Sequence, residues 1–166
     1  MAHFRFLSYL IHPDEKWVYV YWPSFIGSIS RQPLLDYVFR SRHPAGPFPS
    51  IKSFNDWFSS LPQANLPVEL KYKCPHRCFL PDTGMIRMAH ADLHRENIIL
   101  SSTKPCRIFA VVDWEQAGWY SDYWEYCEAL YTCWYESEWR REWIDEFVDP
   151  RMDEFLSFIE YTIRWR

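Results

Sequence analysis

His90-Ala91-Asp92-Leu93-His94-Arg95-Glu96-Asn97 runs into Ile98-Ile99-Leu100. After a turn at residues 101–105 comes Ile108-Phe109-Ala110-Val111-Val112-Asp113-Trp114-Glu115. Polar and apolar residues are segregated along this stretch in a way that dictates its shape. Met85-Ile86-Arg87-Met88-Ala89 leads in as a short strand. Ile98–Leu100 and Ile108–Val112 are predicted to be two further short, buried strands, and the turn between them makes them a hairpin. The polar groups fall at the strand ends. Asp92 lies in the loop before the hairpin, Asn97 immediately precedes its first strand and Asp113 ends its second. A hairpin returns the chain to its starting end, so Asn97 and Asp113, sixteen residues apart in sequence, are expected to meet there. An amide oxygen beside a carboxylate is a hard-oxygen pair of the kind that suits Mg²⁺. The plain alternative is that these three residues merely cap strand ends.

Working outward, residues 1–29 are apolar and aromatic, with a strand-like alternation at Trp17-Val18-Tyr19-Val20-Tyr21 after a turn at Pro13-Asp14. Four prolines between residues 31 and 50 leave room for one short helix, predicted at Leu34–Phe39. Ser53 reads as the N-cap of a second helix, with Pro62 and Pro67 bracketing its end. On the other side, Tyr123 to Arg164 is expected to be helical apart from a break at Pro150. Tyr126, Leu130, Tyr131, Trp134 and Tyr135 recur at helical spacing, as do Phe155, Ile159 and Ile163. The Trp-rich stretch Trp114–Trp143 reads as core, and Glu136, Glu138, Arg140, Arg141 and Glu142 as a solvated helix face.

The 166 residues fit one domain, and the net charge of -4 excludes the basic field that a nucleic-acid partner requires. Aromatic residues make up 20% of the chain, which predicts a heavy core with some aromatic surface left over. No apolar run reaches the length that spans a bilayer, and the N-terminus lacks a cleavable leader pattern. The expectation is a cytoplasmic protein without membrane contact, its five scattered cysteines reduced. Cys74-x-x-x-Cys78 followed by His90-x-x-x-His94 approximates a two-Cys, two-His zinc spacing. Pro81, Asp82 and Gly84, however, occupy the place where such a finger turns into its helix.

His90-x-Asp92-x-x-x-x-Asn97 resembles the catalytic loop of the aminoglycoside phosphotransferase and choline kinase superfamily. Val111-Val112-Asp113-Trp114-Glu115 resembles its metal-binding loop. Residues 112–120, with Tyr123-Trp124-Glu125-Tyr126-Cys127 after them, are similar to fungal members, as are Ile26-Gly27-Ser28, Pro33-Leu34 and Gly46-Pro47-Phe48. The resemblance covers roughly residues 25–145. It implies an α+β fold: the C-terminal lobe of a protein-kinase-like enzyme, mainly α-helical, with a small hairpin bearing the catalytic and metal loops. Residues 1–24 would be a poorly matching N-terminal segment and 25–166 the lobe itself.

The same resemblance implies ATP- and Mg²⁺-dependent transfer of a γ-phosphoryl group to a hydroxyl of a small-molecule acceptor. Asp92 would be the catalytic base, and Asn97 and Asp113 the Mg²⁺ ligands. His90 would brace the loop, and His94 and Glu115 would support the site from behind. The pattern also departs from the family. Only 91 residues precede Asp92, there is no Gly-x-Gly, and no nucleotide-anchoring Lys is found; Lys16, beside a turn, is a poor substitute. The sequence therefore reads as a lobe without its N-terminal partner lobe, which another chain could supply. The alternatives are a truncated piece of a longer enzyme and a catalytically inactive remnant acting as a binding or regulatory module.

Overall fold

The computed structural model describes residues 23–39 and 44–165. The alternation at Trp17–Tyr21 and the segment 1–24, except its last two residues, lie outside them. The element order is β1 (Gly27–Ser28), α1 (Ile51–Ser60), β2 (Ile86–Ala89), β3 (Ile98–Leu100), β4 (Ile108–Val111), β5 (Gly118–Ser121), α2 (Trp124–Thr132), α3 (Ile144–Phe147) and α4 (Met152–Trp165). Strands β1, β5 and β2 form an antiparallel three-stranded sheet with β5 at its centre, and β3 and β4 form a separate hairpin. The fold is α+β. The α-helices span 10, 9, 4 and 14 residues, so they make up well under half of the described chain.

Helix α1 starts one turn earlier than the sequence suggests. Ser50, not Ser53, is its N-cap: the Ser53 N–H donates to Ser50 Oγ at 3.1 Å, while the Ser50 N–H donates to Ser53 Oγ at 3.1 Å. Either serine satisfies the local pattern, and the reciprocal capping box is what selects the first. Ile51, Phe54, Asn55 and Phe58 form its buried face. At the centre of the core stands the fully buried Trp124 of α2. Phe54, Phe58, Tyr120 and Phe158 surround it at ring-centroid distances of 5.0, 5.3, 5.6 and 5.1 Å. Such ring pairs add about 0.5–1.5 kcal/mol each beyond the area they bury. Asn55 locks the same region with polar contacts. Its Nδ2 donates to the Pro81 carbonyl at 2.9 Å, and its Oδ1 accepts from Tyr123 Oη at 2.6 Å.

Gly118 makes the three-stranded sheet possible. It pairs with Ser28 on one side and Ala89 on the other, and a Cβ there would lie 2.8 Å from the Gly27 carbonyl oxygen. This close pairing fixes the end of β2, and His90 follows directly from it.

Three sequence expectations are corrected. The helix at Leu34–Phe39 shrinks to a 3₁₀ turn at Tyr37–Phe39, because Leu34 pairs with Ala45 in a β-bridge. The long C-terminal helix breaks after Thr132 as well as at Pro150, which leaves Trp134 and Tyr135 77% and 75% exposed. The Arg140 guanidinium accounts for that break: it donates to the Leu130 carbonyl at the end of α2 and lies 5.1 Å from the Tyr135 ring and 5.4 Å from the Phe155 ring. It is a helix cap rather than part of a solvated face. Finally, the strand ending at Val111 is not buried. Phe109 is 78% exposed, and Ile99, Leu100 and Ile108 are also open, because no described element packs over the hairpin.

Trp114, Trp134 and Trp143 are exposed too, so the Trp-rich stretch only partly joins the core. All five cysteines are free thiols, and Cys127 is buried as a small apolar group. No helix among the described residues is long and apolar enough to cross a membrane.

Candidate active site

The stretch from His90 to His94, which runs into a 3₁₀ turn at Arg95–Asn97, is a loop whose backbone is held from both sides. Below it, Glu125 in the first turn of α2 accepts from the His90 N–H at 2.5 Å and from the Ala91 N–H at 3.4 Å, both through Oε2. Above it, His90 Nε2 lies 2.9 Å from the Val112 carbonyl oxygen. A carbonyl only accepts, so the imidazole carries its proton on Nε2 in this contact. The His90 ring also sits 4.6 Å from Trp114, whose Nε1 donates to the Val111 carbonyl at 2.8 Å. His90 therefore ties the loop to the end of β4.

The loop turns sharply at Ala91, which has φ of 60° and is fully buried, and Asp113 has φ of 64° at the other side of the site. Neither residue is glycine, and left-handed backbone at such residues is a strained feature that clusters at functional sites. Buried Leu93 pins the loop to the interior.

Asp92 and Asn97 come together directly. Asn97 Nδ2 donates to the Asp92 carbonyl oxygen at 2.9 Å and lies 3.5 Å from its Oδ2. The Asn97 carbonyl accepts from the Val112 N–H at 2.9 Å, extending the pairing of Ile98 with Val111 by one step. Asp113 is the next residue and is exposed. The hairpin thus brings Asn97 to the residue beside Asp113, as the sequence pattern requires. His94 Nδ1 accepts from the Glu96 N–H at 3.3 Å, and its Nε2 lies 3.6 Å from Asp92 Oδ1. Glu115 is exposed in the turn that follows Asp113. Among the described residues no group of three or more His, Cys, Asp or Glu could hold a metal ion, so the cysteine and histidine zinc spacing does not close into a site.

Glu125 is the residue that the sequence pattern did not single out. An acid in the first turn of a helix ordinarily reads as a solvated partner of the helix dipole. The available signal was its setting, with Glu128 one turn on, inside the apolar run Trp124-Glu125-Tyr126-Cys127-Glu128-Ala129-Leu130. The Glu125 carboxyl is raised to about 7: burial is the main cause, the charges of Asp36 and Asp92 add to it, and the backbone donors His90 and Ala91 oppose it.

Beyond the geometry, one family comparison is positive. Residues 79–158 match the model of the phosphotransferase enzyme family. The matched segment covers 80 of the 166 residues. It begins before β2 and ends inside α4, so it contains Asp92, Asn97, Asp113 and every residue that holds them. No curated protein and no solved structure matches the chain.

Proposed function

We propose that this chain carries the reacting part of a small-molecule kinase, an enzyme that moves the γ-phosphoryl group of ATP to a hydroxyl with the help of Mg²⁺. One observation carries the reading: the loop bearing Asp92 is closed onto the loop bearing Asp113 through Asn97. The Asn97 side chain bonds to Asp92, and its backbone bonds to Val112. Phosphoryl transfer requires little covalent work from a protein, only positioning and charge. A base beside two hard oxygens is the minimal set.

In this reading Asp92 accepts or orients the proton of the acceptor hydroxyl. His94, 3.6 Å from the Asp92 carboxylate, limits the directions in which that carboxylate can turn. Asn97 has committed its Nδ2 to Asp92, which leaves its Oδ1 as the group for a cation. The Asp113 carboxylate supplies a second oxygen. Two protein oxygens fit Mg²⁺, which retains water and takes phosphate oxygens as its other ligands. Bound there, the ion would neutralise charge on the phosphates. Glu125 and His90 hold the backbone on which Asp92 sits, from below and above.

The test separates binding from chemistry. Thermal unfolding of the whole chain with and without Mg·ATP at millimolar order should show stabilisation, which grows with ligand over its Kd. Asp113→Ala should remove the Mg²⁺ dependence of that shift. Asp92→Asn should keep the shift but lower turnover by about 10²–10⁴-fold, the usual contribution of a positioned base. A folded sample with no nucleotide-induced shift would favour an inert remnant acting as a binding or regulatory module. Unchanged turnover in Asp92→Asn would mean that another group is the base.

A further inference from the structure

Beneath the loop that carries Asp92 lie three carboxylic acids that the phosphotransfer reading leaves without a chemical role. Asp36 and Glu128 are buried; Glu125 is part-buried as a residue, but its Oε1 is closed off from solvent. Their hydrogen bonds divide them. Asp36 accepts from Trp124 Nε1 at 2.8 Å on one oxygen and from the Val38 N–H at 2.9 Å on the other. Glu125 Oε2 accepts the two loop N–H groups of His90 and Ala91. Donors of this kind favour the ionised carboxylate. Glu128 is different: neither of its buried oxygens has a hydrogen-bond partner among the described residues. No Lys or Arg among the described residues forms an ion pair with any of the three. A buried carboxylate with neither donor nor counter-charge is far costlier than its neutral acid.

We propose that Asp36, Glu125 and Glu128 form one proton-holding cluster, with the proton resident on Glu128 at neutral pH, and that this proton lets Glu125 keep its carboxylate under His90 and Ala91. Loss of the proton places a second uncompensated charge on α2, one helical turn from the group that anchors the loop. The pull on the three acids agrees in direction. Burial raises Asp36 and Glu125 to about 7 and Glu128 well above its ordinary value, and the charges of Asp36 and Glu125 add to the rise at Glu128.

Among the described residues, the other titratable groups bearing directly on Glu128 and its two partners supply no fixed positive charge. They are Asp92 in the loop, Tyr120 on β5, whose phenol burial keeps neutral, and Cys127 beside Glu128 on α2. His90 contributes a buried Nδ1 with no hydrogen-bond partner. From α4, Glu154 and Arg151 bear on Cys127.

The sign of the pH effect follows. Each acid binds more protons folded than unfolded between its ordinary pKa, 3.8 for Asp36 and 4.5 for the glutamates, and its raised folded value. The stabilising contribution is full below those ordinary values. It is lost as pH rises through about 7 for Asp36 and Glu125, and above that for Glu128.

The experiment is carboxyl ¹³C NMR on the full chain with labelled glutamate, Glu128 being assigned through the backbone of α2. A Glu128 signal in the protonated position at pH 7 is expected, and an ionised Glu128 at pH 7 overturns the proposal. Thermal unfolding from pH 5 to pH 9 gives a second reading. Glu128→Gln should raise Tm by a few degrees at pH 9 and flatten the alkaline fall, and a profile superimposable on the unsubstituted chain overturns it. Should Glu128→Gln not fold, the signal of the unsubstituted chain decides alone. None of these readouts needs phosphotransfer, so failure of the proposed activity leaves them standing.

Discussion

Ala91 and Asp113 show how much of this site is decided by single backbone angles. Each holds a positive φ that an L-residue adopts at a cost of about 1–2 kcal/mol. Ala91 is also fully buried, so it has room for a methyl group and little else. Ala91→Val should therefore destabilise the fold by about 2–4 kcal/mol, combining a β-branched side chain at positive φ with overpacking. Ala91→Gly should stay within about 1 kcal/mol of the parent, because relief of strain offsets the extra freedom of the unfolded chain. Urea denaturation of the two variants checks the pair; equal costs would mean that φ is not what constrains this position. The same scale explains why the motif residues were readable. Asp92, Asn97 and Asp113 stand at set distances along a short chain, and such spacing survives in the sequence.

At the scale of elements, the hairpin and α1 behave differently. The hairpin was legible because two apolar runs around a turn have few ways to pair, and the pairing of Ile98 with Val111 is the one that puts Asn97 beside Val112. The start of α1 was legible only to within three residues, since Ser50 and Ser53 are both good caps and the reciprocal capping box between them selects the first. Asn55 is the polar anchor of that helix, joining the Pro81 carbonyl and the Tyr123 hydroxyl. Asn55→Ala should cost about 2–4 kcal/mol, because it leaves the buried Tyr123 hydroxyl and the part-buried Pro81 carbonyl unpaired and opens a void. Ser50→Ala should cost only about 1 kcal/mol, the usual value of a cap. Chemical denaturation of both variants gives the comparison, and a larger loss at Ser50 would contradict this ranking. Helix α2 ends where Arg140 reaches back to Leu130, a contact over ten residues that periodicity alone does not register.

Across the whole molecule, the aromatic excess splits into two populations. One closes around Trp124 and makes the core. The other stays outside, on the hairpin at Phe109 and at Trp134 and Tyr135. An open two-stranded hairpin with apolar side chains is a natural seed for self-association. Phe109→Lys should lower the fraction of oligomer seen by sedimentation velocity while leaving Tm within a few degrees, since the side chain buries little. An unchanged oligomer fraction would place any self-association elsewhere.

Taken by itself, the sequence determined the hairpin, the spacing of Asp92, Asn97 and Asp113 around it and the family model that residues 79–158 match. These features depend on local order, and neighbouring residues carry that information. Only the tertiary structure decided that Glu125 holds the loop by its backbone, that Asp36 and Glu128 lie under it, and that β4 is open to solvent. Those features depend on which distant surfaces meet. Asp36 and Trp124 are 88 residues apart, yet one 2.8 Å hydrogen bond joins them, and no pattern of spacing announces it.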